Sequence, residues 1–287
     1  MQNGRNGILF IIAAALLWST GGIGIKGVDE PALKVTFYRS LFAAIALLLL
    51  FGRKVWGVRS WKSTPVFVIA VISYAATLIT FVTATKLTTA ANAIFLQYAG
   101  VMWVLLLSPF VLGEKMRSRD AIAIGVAIAG MALFFIGKFE MHGMTGNALA
   151  LSSSVFFAAL ILCLRKEHGA AQSAIVWGNV AAAMATLPFV AGNLSLKAGP
   201  FVILLLLGLF QIALAYLLFV RGLKHVTATQ ASLTGMLEPV MNPVWVFLFL
   251  GERPSTYAMA GAVVVLSAIA WHTVMTSEPA SEIPAVD

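Results

Sequence analysis

The stretch Met236-Leu-Glu-Pro-Val-Met-Asn-Pro-Val-Trp245 contains a carboxyl group and two prolines inside a long apolar segment. Glu238 is the only one of the eleven acidic residues that lies well inside such a segment. A carboxyl group at hydrocarbon depth is costly, and it usually faces the interior of a helix bundle or a water-filled cavity. Pro239 and Pro243 interrupt the backbone hydrogen bonds of a helix at the same place. The stretch therefore predicts a polar, interrupted helix in the interior of a membrane protein, such as a solute pathway contains.

Long apolar segments recur along the whole chain. Of the 287 residues, 60% are hydrophobic and 10% are charged, a composition typical of integral membrane proteins. A transmembrane helix needs about 20 predominantly apolar residues. The segments that meet this length are residues 7–26, 33–51, 65–85, 91–112, 120–137, 146–164, 173–192, 199–220, 228–250 and 256–275. The sequence therefore predicts an all-α integral membrane protein with ten transmembrane helices, named spans one to ten below, and no soluble domain.

The chain carries a net charge of +8, which taken alone would fit a nucleic-acid-binding protein. The distribution of the basic residues favours another interpretation. The segments on the side of the N-terminus hold about twice as many Lys and Arg residues as those on the opposite side, as cytoplasmic segments do. We therefore expect a multi-pass protein of the cell (inner) membrane, with both termini cytoplasmic. Its partners would be the lipid bilayer and a small-molecule substrate, and not nucleic acid.

Two stretches of the chain align with each other without gaps, Thr88–Glu114 and Val226–Glu252, and both end in Leu-Gly-Glu. The alternative to a duplication is that two apolar spans share their composition by chance. A duplicated unit would hold five spans, and an odd number makes the second copy enter the membrane from the opposite side. The sequence thus predicts two inverted five-helix repeats, at residues 1–140 and 141–276, followed by a disordered tail at 277–287.

Several short motifs resemble one transporter family. They are Leu17-Trp18-Ser19 in span one, Arg39 near the start of span two, the Leu-Gly-Glu endings of spans four and nine, and glycines at 125, 130 and 261. With the ten-span pattern, they make residues 7–275 similar to the EamA-type members of the drug/metabolite transporter superfamily. The resemblance implies a secondary transporter that works by alternating access. That family includes exporters of amino acids and related metabolites, and some members handle aromatic amino acids.

One feature departs from the pattern of that family, which often has a proline in the middle of span four as well as span nine. Here Gly100-Val101 aligns with Glu238-Pro239. We therefore expect the two halves of the chain to flex differently.

Spans four and nine each carry a helical face that is unlike a lipid-facing surface. Residues three or four apart share one face of a helix. The face on span nine carries Thr234, Glu238, Asn242 and Trp245. The corresponding face on span four carries Gln97, Gly100 and either Trp103 or Val104. The mixture of polar, small and aromatic groups indicates a substrate-binding surface, although hydrogen bonds between helices would equally explain the amides of Gln97 and Asn242.

Glu238 and Arg39 are the charged candidates for binding or coupling. Glu238 either exchanges a proton, because burial without a partner favours the neutral carboxyl group, or stays ionised and pairs with a substrate ammonium group. Arg39, at the edge of span two, either holds a substrate carboxylate through two parallel hydrogen bonds or extends to the membrane interface. The sequence leaves these alternatives open, and Glu238 is the predicted proton-coupling residue.

Deep aromatic residues complete the predicted site. Four of them lie beside small or polar neighbours, where a ring would line a cavity and stack on a flat or cationic substrate. These four are Trp18, Tyr74, Trp103 and Trp177. Simple packing inside the bundle is the alternative. The predicted substrate-binding residues are Trp18, Arg39, Tyr74, Gln97, Trp103, Trp177, Glu238 and Asn242.

The sequence predicts no metal, no cofactor and no ATP-driven step. The four histidines are scattered without metal-ligand spacing, the single Cys163 has no partner in sequence, and no phosphate-binding loop occurs. One alternative to a transporter is an intramembrane lipid-modifying enzyme, which would need a reactive set of side chains such as a nucleophile with a base. A second alternative is a passive channel, which would need rings of like charge or a repeated pore lining. Both a monomer and a homodimer fit the sequence.

Overall fold

The computed structural model describes residues 2–55, 64–134, 136, 143–167, 169–250 and 255–276. Over these ranges the chain is predominantly helical and contains no strand. The helices are α1 (Gln2–Trp18), α2 (Gly21–Gly27), α3 (Ala32–Phe51), α4 (Thr64–Leu87), α5 (Ala90–Gln97), α6 (Gly100–Leu112), α7 (Ser118–Phe134), α8 (Met144–Lys166), α9 (Ala171–Val190), α10 (Ala198–Leu206), α11 (Ala215–Leu223), α12 (Ala228–Gly235), α13 (Leu237–Leu250) and α14 (Thr256–Thr276). A 3₁₀ turn (Gly52–Val55) follows α3, and a π-helical segment (Leu207–Leu214) joins α10 to α11. The tail predicted at 277–287 lies outside the described residues.

Seven helical segments among the described residues are long and apolar enough to cross a membrane. They are Gly4–Gly27, Ala32–Phe51, Pro65–Leu87, Asn92–Leu112, Met144–Lys166, Ala171–Val190 and Ala198–Leu223. An eighth apolar helix, Met259–Met275, is shorter. These segments support an all-helical, multi-pass membrane protein. The predicted number of ten is not confirmed, because spans five and nine, which correspond to α7 and to α12 with α13, are not among them.

Several predicted spans are interrupted. Ser19 and Thr20 separate α1 from α2, Tyr98 and Ala99 separate α5 from α6, and Met236 separates α12 from α13. Span eight stays helical but widens into the π-helical segment described above. Interrupted backbone at membrane depth is tolerated where it is buried in protein or lines a cavity. The breaks therefore indicate the depth in the bundle at which a substrate-binding site is expected.

Pro239 explains the break in span nine. A helical carbonyl accepts a hydrogen bond from the N–H four residues later, and for Gly235 that residue is Pro239, which has no N–H. The helix accordingly stops at Gly235 and restarts after Met236. Span four is broken at Tyr98, the position aligned with Met236, although it lacks a proline there. Span four is therefore interrupted even without a proline, and the expectation that the two halves flex differently stays a prediction.

The helices α5 and α12 also begin in the same way. The side chain of Thr89 accepts the backbone N–H of Asn92 at 3.1 Å, and the side chain of Thr227 accepts that of Gln230 at 3.1 Å. Such caps satisfy N–H groups that have no partner within the helix. The two helices thus start and end at aligned positions. The inverted arrangement of two repeats remains a prediction.

At one end of the bundle, three lysines donate hydrogen bonds to backbone carbonyl groups of neighbouring connections. The bonds join Lys26 to Thr88 at 2.8 Å, Lys34 to Ser195 at 2.6 Å, and Lys86 to Val28. Each of these carbonyl groups belongs to a connection between two helices. These bonds connect the segments after α2, α4 and α9.

At the other end of the bundle, Arg165 and Glu114 connect the ends of α8 and α11 to the start of α12. Arg165 pairs with Glu114 at 2.9 Å between Nε and Oε1, and its Nη1 donates to the carbonyl of Leu223 at 3.2 Å. The second carboxylate oxygen of Glu114 accepts the backbone N–H of Ala228 at 3.1 Å, at the start of α12, where a negative charge is favourable. Glu114 is the terminal residue of the Leu-Gly-Glu motif in span four.

Glycines allow close approach of α1 and α11. A Cβ atom added at Gly222 would lie 2.7 Å from the carbonyl oxygen of Gly7 and 2.7 Å from Ile11 Cδ1. The first of these neighbours belongs to the backbone, which cannot rotate away. By contrast, a Cβ atom at Gly125 in α7 would meet no atom within 4 Å.

We predict that Gly222→Ala destabilises the protein whereas Gly125→Ala does not. Overpacking of a tight helix contact costs on the order of 1–3 kcal/mol, and the matched substitution in open space lacks that clash. Thermal unfolding of the purified variants in detergent measures the difference. A Gly222→Ala midpoint equal to that of the unchanged protein would show that α1 and α11 are not packed in this way.

Candidate functional site

Glu238 lies in the first turn of α13, directly after the break in span nine, and only 7% of it is exposed. Its Oε2 atom is 2.8 Å from the hydroxyl oxygen of Tyr98. The same hydroxyl oxygen is 2.6 Å from the carbonyl oxygen of Gly235. Tyr98 stands at the break in span four, so the two interrupted spans meet through this one side chain.

A small cavity, with room for about one water molecule in this conformation, lies beside these breaks. Its wall includes Trp18, Gln97, Tyr98, Ser232 and Gly235, and the remainder is mostly apolar. Glu238 is not part of the wall and reaches the cavity through Tyr98. Clefts that bind small molecules combine apolar walls with a few polar groups in this manner.

Aromatic rings form a continuous layer from the cavity to the centre of the core, and we call Trp18, Tyr74, Tyr216 and Phe219 the aromatic layer. The centroids of the Trp18 rings lie 4.9 Å from Tyr216 and 5.0 Å from Phe219. Tyr216 in turn lies 4.6 Å from Tyr74 in an edge-to-face arrangement. Such geometry is favourable for aromatic pairs. The structure therefore brings the predicted residues Trp18 and Tyr74 together through Tyr216.

Arg39 is buried next to the aromatic layer, with 2% of its surface exposed. Its Nη2 atom donates to Oε1 of Gln211 in the π-helical segment. The hydroxyl groups of Tyr74 and Tyr216 lie near its guanidinium group. Of the two alternatives for Arg39, extension to the interface does not occur in this structure, because the guanidinium group stays inside the protein.

Amide side chains fill the spaces between the broken helices. Gln97 Nε2 donates to the hydroxyl of Ser153 at 2.8 Å. Asn242 packs directly on α2, since a Cβ atom at Gly22 would lie 2.6 Å from its Nδ2. On the same face of α13, Trp245 Nε1 donates to the hydroxyl of Ser19 at 2.7 Å. The helical face predicted on span nine therefore contacts span one where span one is interrupted, at Ser19 and Thr20.

Trp103 does not join the cluster, contrary to its predicted place in a substrate cavity. Its side chain is 41% exposed on α6, whereas Val104 is fully buried. Val104 lies seven residues after Gln97 and so on the same helical face, whereas Trp103 falls to one side of it. Trp177 is half-buried at the edge of the core and is not part of the cavity wall.

Sequence reasoning did not single out four residues that the structure places in this region: Tyr98, Gln211, Tyr216 and Asn179. Asn179 Nδ2 donates to the hydroxyl of Tyr74 at 3.1 Å, and the others are described above. One signal was available, because Tyr98 aligns with Met236, the residue beside Glu238 at which span nine is broken. Among the described residues, no group of three His, Cys, Asp or Glu side chains could hold a metal ion.

Comparison with known proteins agrees with a transporter. The model of the EamA-like transporter family matches residues 5–136 and again residues 144–274. An uncharacterized transporter from Archaeoglobus fulgidus is 24% identical over 274 residues, which cover 93% of this chain and 97% of the relative. The pseudopaline exporter CntI of Pseudomonas aeruginosa is 24% identical over 272 residues, covering 92% and 94% of the two chains.

A solved crystal structure shares the fold. It is 18% identical in sequence and superposes with a TM-score of 0.79, over 94% of this chain and 97% of that one. Because the family model matches most of the chain, the protein belongs to the EamA-like transporter family.

Proposed function

We propose that the protein exports small organic metabolites across the cell (inner) membrane by alternating access, and that amino acids or related compounds, including aromatic ones, are its substrates. The observation that carries the proposal is the guanidinium group of Arg39, buried beside the aromatic layer without an acidic partner among the described residues. A buried charge without a partner is costly. Such a group persists where a ligand of opposite charge completes the site.

Other buried polar atoms of this region also lack a partner. Within the described part of the chain, the atoms without a hydrogen bond from the protein are Trp18 Nε1, Arg39 Nε, Arg39 Nη1, Asn179 Oδ1 and Ser232 Oγ. Buried polar groups normally find partners. Most of these atoms are donors, which suits the oxygens of a carboxylate, and Asn179 Oδ1 is an acceptor, which suits an ammonium group. A ligand with both groups and an apolar side chain matches this set together with the aromatic layer.

The two ends of the bundle support alternating access. Lysines tie the connections at one end, and the Arg165–Glu114 pair ties the other. A carrier must release one of these sets of bonds while it keeps the other. The cavity between them is partly walled by the interrupted spans, as in transporters whose sites lie at discontinuous helices. Glu238 is proposed as the proton-coupling residue, with both termini in the cytoplasm.

Uptake by counterflow tests the proposed function. In proteoliposomes preloaded with an unlabelled amino acid, a carrier accelerates entry of the same labelled amino acid, and a panel of amino acids identifies the substrate. A pH gradient is expected to drive net uptake in the unchanged protein and not in Glu238→Gln, while exchange persists in both. Uptake that ignores the preloaded solute across the panel would indicate a channel, and chemical change of the lipid would indicate an enzyme.

We predict that Arg39→Gln weakens the apparent affinity for carboxylate substrates by about 10- to 100-fold, since a charged hydrogen bond is lost. Arg39→Lys keeps the charge but not the planar pair of donors, so an intermediate loss is expected. Competition by each amino acid and its carboxamide in the counterflow assay measures the effect. The two ligands should differ strongly in the unchanged protein and little in Arg39→Gln.

Thermal unfolding distinguishes a binding role of Arg39 from a structural one. Because Arg39 forms no ion pair with another described residue that the substitution would break, the midpoint of Arg39→Gln is expected to stay at or above that of the unchanged protein. A variant that loses transport together with stability would instead show that Arg39 supports the fold.

We predict that Trp18→Leu lowers the apparent affinity for aromatic substrates more than for small ones, because Trp18 lies on the cavity wall. Trp103→Leu serves as the matched comparison, since its ring is exposed, and it should leave both affinities unchanged. Counterflow with one aromatic and one small amino acid measures both variants. Equal behaviour of the two variants would contradict the placement of the site.

A further inference from the structure

The hydroxyl group of Tyr98 lies within hydrogen-bonding distance of two acceptors, the carbonyl of Gly235 at 2.6 Å and the carboxyl group of Glu238 at 2.8 Å. A tyrosine hydroxyl has a single hydrogen to donate. We infer that Tyr98 is a positioning residue and that the protonation of Glu238 decides which acceptor its hydroxyl group bonds. When Glu238 carries a proton, Tyr98 joins both parts of span nine to span four. When Glu238 loses the proton, the end of α12 is released.

The carbonyl of Gly235 needs this donor because of the sequence that follows it. Its regular helical partner would be the N–H of residue 239, which is a proline. The hydroxyl of Tyr98 takes the place of that missing donor. A carbonyl without a partner in a buried, apolar environment is unfavourable, so the end of α12 depends on Tyr98.

Protonated Glu238 satisfies all three groups at once. Its O–H donates to the hydroxyl oxygen of Tyr98, and the hydrogen of Tyr98 is then free to point at the carbonyl of Gly235. Ionised Glu238 can only accept, and a carboxylate is a stronger acceptor than a carbonyl. The hydroxyl then turns to Glu238, and the carbonyl of Gly235 loses this donor. The proton thus decides whether α12 is held at its end.

The surroundings of Glu238 make Tyr98 its principal partner. The helices packed against α13 are α1, α2, α5 and α14. Their titratable side chains among the described residues are Arg5, Lys26, Tyr257 and His272 near helix ends, and Tyr98 directly after α5. Of these, Tyr98 bonds Glu238. The hydroxyl group of Tyr216, in α11, also lies near Glu238 and Arg39.

Release of α12 would change the cavity. Ala231, Ser232 and Gly235 belong to α12 and stand in the cavity wall opposite Trp18 and Phe157 of other helices. Movement of α12 about the break at Met236 therefore alters the wall that a substrate would touch. The inference rests on the proposed function only for this last step, from movement of α12 to transport.

Hydrogen exchange of the purified protein at a series of pH values, corrected for the intrinsic pH dependence of exchange, tests the inference. We expect the amides at the end of α12, residues 232–236, to be about tenfold better protected at low than at high pH, the factor that corresponds to one hydrogen bond. In Glu238→Gln, whose amide donates to Tyr98 at every pH, protection should stay high. In Tyr98→Phe it should stay low.

Pro239→Ala is the decisive variant, because it supplies the N–H that the carbonyl of Gly235 lacks. The pH step should disappear in Pro239→Ala and persist in Pro243→Ala, which removes a proline from the same helix without providing that donor. A step of unchanged size in Pro239→Ala, or the absence of a step in the unchanged protein, would overturn the inference. Exchange is measured without substrate, so its outcome is separate from that of the counterflow assay.

Discussion

Polar groups in the interior of this protein depend on partners from the chain itself, because a bilayer offers none. Most of them are satisfied locally or across helices: Thr77 and Thr85 donate to carbonyls one turn earlier, and Gln97 finds Ser153. The exceptions described above cluster around Arg39 and the cavity. In the part of the chain that the structure describes, these unsatisfied polar atoms thus lie in one region, and the breaks in the helices fall in the same region.

The breaks in the helices and the contacts at the two ends of the bundle have a common physical basis. Where a helix is interrupted, its carbonyl and N–H groups are satisfied by side chains from distant segments, as with Tyr98 and Gly235. Where the bundle ends, lysine and arginine side chains bind the carbonyls of neighbouring segments, as with Lys26 and Arg165. Both kinds of contact are hydrogen bonds between few atoms. They can be exchanged for others without unpacking the apolar core.

The sequence was sufficient for the class of protein and for the interruption of span nine. A carboxyl group beside two prolines in an apolar segment located Glu238 and the break next to it, and helical spacing placed Asn242 and Trp245 on one face. It was not sufficient for Trp103, because the sequence left Trp103 and Val104 as alternatives on the face of span four, and only the packing shows that Val104 is the buried one. Gln211 and Tyr216 were missed, since their roles depend on contacts with Arg39 and Tyr74 from far along the chain.

Accessibility of the cavity from each side of the membrane tests the central claim most directly. Ser232 lies on the cavity wall and is buried, and Cys163 is the only native cysteine. A cysteine introduced as Ser232→Cys in a Cys163→Ser background is treated with a membrane-impermeant thiol reagent, in vesicles of either orientation. The account predicts labelling from both sides and protection by substrate. Labelling from a single side under all conditions would contradict it.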